Sequence, residues 1–426
     1  MSTTVSESTL QAGSGCPEQP AAEALITGIG MLAPNGAHTE EIWANVLAGR
    51  TGIRPVGRFR PKGPVRLAGE IADDAFLEAV PSRLRAQTDR WTQMAVAASD
   101  AALDDAGLAD AGTRPYDPFD MAVITASSSG GNEFGQRELS RLWTEGPQRV
   151  SVYQSIAWFY AATTGQLSIR HGMQGPCGVV VADQAGGLDA LAQARRVLRS
   201  GTGLVLTGGM EAPLSPYALT CLDSDGTVSH ATDPARAYLP FHEGATGWVP
   251  GEGGAILVVE ESAAARSRAV PHVYGRLAGH AATFDSPSAP PGSGLLAAAG
   301  AALEDAGVEP SRVDVVFADA AGVRSQDEAE IRVLTELFGP RGVPVTAPKT
   351  MTGRLNAGGG PLDVALAVLA MRDGVIPPTV LPAEPAPTHP LDLVTGRPRT
   401  AAIRTALVLA RGAGGFNSAV VLTQAY

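Results

Sequence analysis

Gly175-Pro-Cys-Gly-Val-Val-Val-Ala-Asp-Gln-Ala-Gly-Gly-Leu-Asp-Ala-Leu-Ala-Gln-Ala-Arg-Arg196 is the stretch on which the fold turns. Val179 to Ala182 form an apolar, mostly β-branched run, short enough for a strand buried on both faces. Asp183-Gln184-Ala185-Gly186-Gly187 reads as a tight turn. Leu188, Leu191, Ala192, Arg195 and Leu198 then recur at helical spacing until Gly201 supplies a stop. Strand, sharp turn and helix place Gln184 at a helix N-terminus, where free N–H groups and the dipole favour developing negative charge. Enzymes with a Cys or Ser nucleophile use this geometry. A carboxamide cannot act as one. The stretch alone therefore leaves two readings open: a disarmed catalytic turn, or a buried strand–helix unit whose Gln caps the helix.

A chain of 426 residues allows two or three folded units with a substantial core. Its net charge is −11, and no basic run is dense enough for nucleic acid. Only Lys62 and Lys349 are lysines; the Arg bias, with abundant Ala, Gly and Pro, fits a GC-rich genome and makes Lys349 conspicuous. Cys16, Cys177 and Cys221 form no paired framework, which predicts a reducing compartment, and no metal-ligating spacing occurs. Residues 1–22 are polar and Ser/Gly/Pro-rich without a basic start or apolar centre, and are expected to be a disordered leader. Leu362 to Met371 is apolar but carries Asp363 and ends at Arg372, so no membrane span is expected. These features predict a cytoplasmic protein.

Further strand–turn–helix units surround the Gln184 stretch. Ala24 to Gly36 opens with a strand and a Gly-rich turn; Gly28, Gly30 and Ala33 loosely fit a dinucleotide fingerprint, but Pro34-Asn35-Gly36 blocks the helix start that a pyrophosphate needs. Thr92 to Ala106 reads as a helix with Met94, Ala97, Ala98, Ala101 and Leu103 on its apolar face. Met121 to Ala126 reads as a buried strand, Ser127 to Gly131 as a loop and Asn132 to Leu142 as a polar helix. The aromatic segment Tyr153 to Thr163, with Trp158, Phe159 and Tyr160, suits either a core or a subunit interface. Gly203–Gly209 and the strand ending at Glu260 complete a first half, 23–264. In the second half, 265–426, helices at Leu295–Ala306, Asp327–Phe338 and Leu362–Met371 alternate with a strand plus turn at Val313–Gly322 and a strand at Thr405–Ala410. Alternation in both halves predicts an α/β fold with parallel sheets covered on both faces.

The Gln184 stretch resembles the ketosynthase family of condensing enzymes, where a Cys stands at the position of Gln184. Its Gln version, Ala182 to Ala190, resembles the chain-length factor, or ketosynthase β-subunit, of type II aromatic polyketide synthases. The opening strand, the Pro240-Phe241 segment leading into Gly251-Glu252-Gly253, the Lys349 to Gly358 turn and the Arg411 to Ser418 loop extend the resemblance from about residue 22 to the C-terminus. It implies a duplicated thiolase-like fold, layered αβαβα, with two pseudo-symmetric halves.

The resemblance also implies what is missing. A condensing ketosynthase uses a thiolate, two His that assist malonyl decarboxylation, and backbone N–H groups that hold the enolate oxygen. Asp319 stands at the first His position and Arg354 at the second, so Gln184, Asp319 and Arg354 replace the whole catalytic set. An Asp and an Arg so placed are expected to neutralise each other as an ion pair, with Lys349 joining the network. Ala413 stands at the aromatic gate position of the Gly-rich oxyanion loop. Cys177 lies before the strand, far from any helix dipole, and reads as a small buried residue.

The function that the resemblance implies is that of a non-condensing β-subunit paired with a ketosynthase α-subunit. It would shape the tunnel in which malonyl units, delivered on the phosphopantetheine of an acyl carrier protein, become an aromatic polyketide, and it would need no cofactor of its own. The alternative is a Gln-type decarboxylase that makes the acetyl primer; domains of that kind keep the two His. The interface is expected at Tyr153, Trp158, Phe159 and Tyr160. Asn132, Gly135 and Leu139 share a helix face by spacing, and Ile156 is expected to face them across the tunnel floor. Octaketide-forming members of the family carry bulky residues at several of these positions, so the small ones here imply a decaketide or longer.

Overall fold

The computed structural model describes residues 22–383 and 389–425; the expected leader, through residue 21, lies outside them. One mixed sheet runs through the molecule. Its strands are β1 (Ala24–Leu32), β2 (Met121–Ala126), β3 (Cys177–Val180), β4 (Leu204–Glu211), β5 (Gly253–Glu261), β6 (Gly275–Phe284), β7 (Val315–Phe317), β8 (Pro344–Thr346), β9 (Asp392–Leu393), β10 (Thr405–Arg411) and β11 (Phe416–Thr423). Their order is β9-β8-β7-β10-β11-β6-β1-β5-β4-β2-β3. Setting aside β9, an extra strand added parallel to β8 at the outer edge of the second half, each half reads from the centre outward first, fifth, fourth, second, third strand, with the same directions: two antiparallel neighbours, then two parallel ones. The halves meet antiparallel where Leu25 and Ile26 of β1 face Arg276 and Gly275 of β6. A repeated topology with this pairing is the duplicated, layered α/β fold.

The helices that position the site are α1 (Arg90–Asp105), α2 (Asn132–Glu145), α3 (Ala162–His171), α4 (Gly186–Arg199), α5 (Ser293–Ala306), α6 (Arg324–Phe338) and α7 (Gly359–Asp373). Helices α4 and α7 pack on each other and on strands of both halves, so they form the middle layer. Helix α1 covers the outer face of the first half, and α5, backed by α6, covers that of the second. Three apolar clusters fill the spaces between layers, and the central one draws Leu188 and Leu191 from α4 and Leu366 and Leu369 from α7. Each such leucine, fully buried, contributes about 1.5–3 kcal/mol. Helix α7 is buried almost all round, which is why its sequence lacks a polar stripe.

The structure corrects several sequence expectations. Gly28 and Gly30 lie inside β1, not in a turn: a Cβ at either would fall 2.2 Å from the Ala102 carbonyl oxygen or 1.9 Å from that of Ala98, so they let α1 lie directly on the strand. Helix α1 begins at Arg90, and Ala101, expected on its apolar face, is exposed, because Ala95, Val96 and Ala102 take the buried side. Strand β3 ends at Val180 and is only half-buried, because it is an edge strand whose one neighbour among the described residues is β2. Cys177, expected to be buried, is exposed on that edge. Strands β6 and β11 have no counterpart in the sequence reading, and the latter half of the expected Arg411 to Ser418 loop belongs to β11.

Candidate active site

Strand β3 delivers the chain to a single tight turn, Asp183–Ala185, that runs into α4. Asp183 takes a left-handed conformation, φ +48°, which Asp tolerates better than most side chains. The turn can sit this deep because Gly187 offers no side chain: a Cβ there would lie 2.3 Å from both the Ala357 oxygen and Pro361 Cδ. Gln184 thereby reaches the seam between the halves, facing β7 and the turn before α7.

The structure brings Gln184, Asp319 and Arg354 together. Gln184 Oε1 accepts from Arg354 Nε. Arg354 grips Asp319 in a fork, Nη2 to Oδ1 at 2.8 Å and Nη1 to Oδ2 at 3.3 Å, and also donates to the Asp319 and Arg411 carbonyls at 2.9 and 3.2 Å. Asp319 and Arg354 are only 2% and 6% exposed. Asp319 further accepts from the Arg411 N–H at 2.8 Å and from its guanidinium at 3.1 Å. Behind it Glu330, fully buried, accepts from the Asp319 and Ala320 N–H groups at 2.8 and 2.9 Å and pairs with Arg411 at 3.3 Å. Lys349 pairs with buried Asp363 at 2.7 Å and donates to the Ala318 carbonyl.

Burial works to raise the Asp319 carboxyl, but Arg354, Arg411 and Lys349 outweigh it and hold it well below the usual carboxylate range. Burial likewise opposes the charge on Arg354, and Asp319 more than restores it. Asp363 and Glu330 go the other way: burial raises both against the pull of Lys349 and Arg411. Behind Arg354 a cavity of only about 20 Å³ remains, room for one water. In front, a cleft of about 360 Å³ opens between Gln184, Asp225, Trp248, Gln326 and Ala413, with exposed Cys221 on its wall. The inner site is full of paired charge; the outer cleft is open.

The Ala413 loop is also occupied. Its N–H, which the resemblance aims at an enolate oxygen, donates to Asp183 Oδ2 at 2.6 Å, while Asp183 Oδ1 accepts from Ser128 Oγ at 3.0 Å. Sequence reasoning missed Asp183, Arg411 and Glu330 as members of the site. The spacing of Asp327, Glu330 and Leu334, which puts two acids on the apolar face of α6, was the available signal for Glu330.

Two buried carboxylates brace the neighbouring loop and helix. Glu211, at the end of β4, accepts from the Ser128 N–H and from Ser129 Oγ at 2.6 Å. Asp89 accepts from the N–H of Trp91 at 3.3 Å and of Phe134 at 2.7 Å, capping α1 and tying down the first turn of α2. Burial pushes both carboxyls up to about 7, against the N–H donors that pull them down. A carboxyl raised on folding keeps a proton that the unfolded chain has lost. Its stabilising contribution is therefore complete below the unfolded value and lost as pH rises through the folded one. Thermal stability should accordingly fall from about pH 5 to about pH 8, and Glu211→Gln, which cannot ionise, should flatten part of that slope. A melting series with the same slope in the variant would remove Glu211 as a source.

Outside this seam, Asn132, Gly135 and Leu139 lie on α2, and Leu139 is 51% exposed. Ile156, expected to face them, is not among the atoms within 4 Å of a Cβ built on Gly135; Trp158 and Gln154 are, because the Gly130–Gly131 turn sets the register of the segment. Trp158, Phe159 and Tyr160 are 50%, 43% and 40% exposed and Tyr153 is half-buried, so these aromatics are not core. With exposed Val152, Ile169 and Val181 and the open edge of β3, this half carries a run of unpartnered apolar surface. Among the described residues no cluster could hold a metal ion, and no helix is long and apolar enough to cross a membrane.

Residues 22–265 match the β-ketoacyl synthase N-terminal domain family, and residues 274–381 its C-terminal domain family. The chain is 55% identical to the tetracenomycin polyketide synthase ketoacyl synthase beta subunit of Streptomyces glaucescens, over 94% of this chain and 98% of that one. It is 34% identical to the alpha subunit of the same synthase, over 94% and 96% of the two chains. Among solved structures, the ishigamide ketosynthase/chain length factor superposes with a TM-score of 0.87 at 27% identity, covering 96% of this chain and all of that one. A disarmed turn, a filled inner site and the stronger likeness to a beta subunit agree: the chain belongs to the β-ketoacyl synthase family, in its branch of ketosynthase β-subunits, the chain-length factors of type II polyketide synthases.

Proposed function

We propose that this chain is the non-condensing half of a cytoplasmic ketosynthase heterodimer, and that it bounds the tunnel in which an α-subunit extends a poly-β-ketone. The observation that carries this reading is the fork between Arg354 and Asp319, with Gln184 hydrogen-bonded to the same guanidinium: a full site with no nucleophile. The malonyl units would arrive on the phosphopantetheine of an acyl carrier protein at the α-subunit, so this chain requires no cofactor. Tyr153, Trp158, Phe159 and Tyr160, beside the open edge of β3, supply the apolar surface that an α-subunit would cover; obligate interfaces bury upwards of about 2,000 Å². Malonyl decarboxylation at Gln184 finds no support, since the Ala413 N–H is bound to Asp183 and the Asp319–Arg354 fork stands where decarboxylases of that kind keep their two His.

The test is co-expression with a Cys-bearing ketosynthase from the same gene neighbourhood. The two should co-elute and together extend malonyl-carrier protein, whereas this chain alone should form no acyl adduct and release no CO₂. Gln184→Cys should not arm it, because Asp319 and Arg354 still occupy the places of the assisting His. Acylation or chain extension by the lone chain, wild-type or Gln184→Cys, would overturn the reading.

A further inference from the structure

Asp183 faces the outer cleft, and its carboxylate is shared between two loops. Oδ2 accepts from the Ala413 N–H at 2.6 Å and Oδ1 from Ser128 Oγ at 3.0 Å. Asp183, Gln184 and residues 412–414 line the same wall of that cleft, and Ala413 is exposed, so solvent and ligands reach this hydrogen bond. Other groups fix the ends of the Ala413 loop. Arg411 N donates to Asp319 at 2.8 Å, Gly412 N to the Phe416 carbonyl at 2.9 Å, and Asp285 N to the Gly415 carbonyl at 2.8 Å. At Ala413 itself the one side-chain partner among the described residues is Asp183, whose backbone is held at φ +48° to reach it. With a methyl group at position 413, no side chain of the loop covers the cleft of about 360 Å³. The two cations on its wall, Arg354 and Arg411, are both engaged with Asp319. The Ala413 N–H is therefore the donor that a neutral ligand entering the cleft would meet, and a carboxylate already holds it more firmly than a neutral oxygen could.

We propose that Asp183 is an internal occupant of the Ala413 N–H that keeps acyl thioesters out of this chain's cleft. This rests on the reading that an α-subunit extends malonyl units borne by a carrier protein. The chain and the alpha subunit of the tetracenomycin synthase are alike along almost their whole length, so both halves of such a heterodimer carry a cleft of the same origin. An open but unreactive cleft in this chain would hold carrier-borne thioesters away from the α-subunit wherever carrier protein is not in excess. An obstacle built into the wrong site gives discrimination that contacts at the right site do not. The thioester carbonyl is a neutral acceptor, and the carboxylate of Asp183 stands in its place.

The experiment is hydrogen–deuterium exchange on the reconstituted heterodimer, following the peptide over residues 411–416 of this chain with and without acetyl-pantetheine. A peptide of this chain reports its own cleft, whatever binds to the α-subunit. In wild type it should exchange slowly and not respond to the thioester. Asp183→Gly removes the carboxylate and suits the left-handed φ. It should speed exchange there by about tenfold or more, as expected for loss of a hydrogen bond to a charged group, and acetyl-pantetheine should slow it again. With malonyl-carrier protein limiting, the same variant should also extend more slowly. Asp183→Asn keeps the shape with a neutral acceptor and should fall between the two; it carries the test if Asp183→Gly does not co-elute with the α-subunit. Wild-type exchange in a variant that assembles overturns the proposal, as does a wild-type peptide that acetyl-pantetheine already protects. Faster exchange that acetyl-pantetheine does not slow overturns the thioester as the excluded ligand. If the wild-type heterodimer extends nothing, the reading of the function has failed, and the exchange rates still decide what Asp183 does.

Discussion

Arg354→Met should destabilise the chain by about 3 kcal/mol or more and deplete the assembled heterodimer. Removing one member of a buried ion pair costs about 3–5 kcal/mol, because the survivor is left charged in a place water does not reach. The survivor here is Asp319, 2% exposed. Arg411 still reaches it at 3.1 Å, which places the expected loss at the lower end of that range. The sharper test is the second substitution. Asp319→Asn in the Arg354→Met chain removes the stranded charge and should recover most of the lost stability, since a buried pair replaced as a unit is often close to neutral. Denaturation with two probes gives both numbers. A single variant as stable as wild type, or a double variant no better than the single, would show that the fork does not hold this site. The pair also sets an acid limit. With its folded-state value held below the unfolded one, Asp319 contributes stability that is present above the ordinary carboxylate range and lost as pH falls toward the folded value. In the double variant that share of the acid sensitivity should disappear.

What could be read from the sequence, and what could not, divides along physical lines. The Gln184 turn was legible because three local signals agree there: a short β-branched run, a break, and an apolar stripe at helical spacing on α4. The opposition of Asp319 and Arg354 came from resemblance, since thirty-five positions of chain separate them and no local pattern predicts that β7 and the turn before α7 converge. Arg411 and Glu330 join the same cluster from two further elements, and contacts of that range leave almost no trace in periodicity. The exposure of β3 was illegible for a different reason. A run of valines looks the same whether its second neighbour is a strand of its own chain or one yet to arrive. Gly28 and Gly30 misled because a glycine that admits a helix and a glycine that makes a turn are the same letter.

The wild-type heterodimer should make a polyketide longer than an octaketide, of the decaketide class or beyond, and Gly135→Phe with Leu139→Phe should shorten it. A growing chain stops when its end meets a wall, so volume added to the wall is subtracted from the product. The usual objection to such a variant is that it unfolds the helix, and the geometry answers it. Gly135 is helical and has no positive φ, and a Cβ there makes ordinary contacts at 3.7 and 3.8 Å, so the backbone conformation does not require a glycine and the first side-chain carbon is accommodated. Replacing a mid-helix glycine removes a penalty of about 1 kcal/mol relative to Ala, part of which a bulky residue retains as a gain. Leu139 is already exposed, so its replacement strains nothing inside the chain. A melting curve of each variant beside wild type, together with co-elution, then separates an effect of volume on the product from an effect of overpacking on the fold. Asn132, one turn earlier, should act in the same sense with a smaller effect, since it lies at the first residue of α2 beside the Gly131 turn. The measurement is product mass from the heterodimer with carrier protein, wild-type and variant side by side. An octaketide from the wild-type pair, or an unchanged product from a variant that still co-elutes with its partner, would place the end of the tunnel on another element.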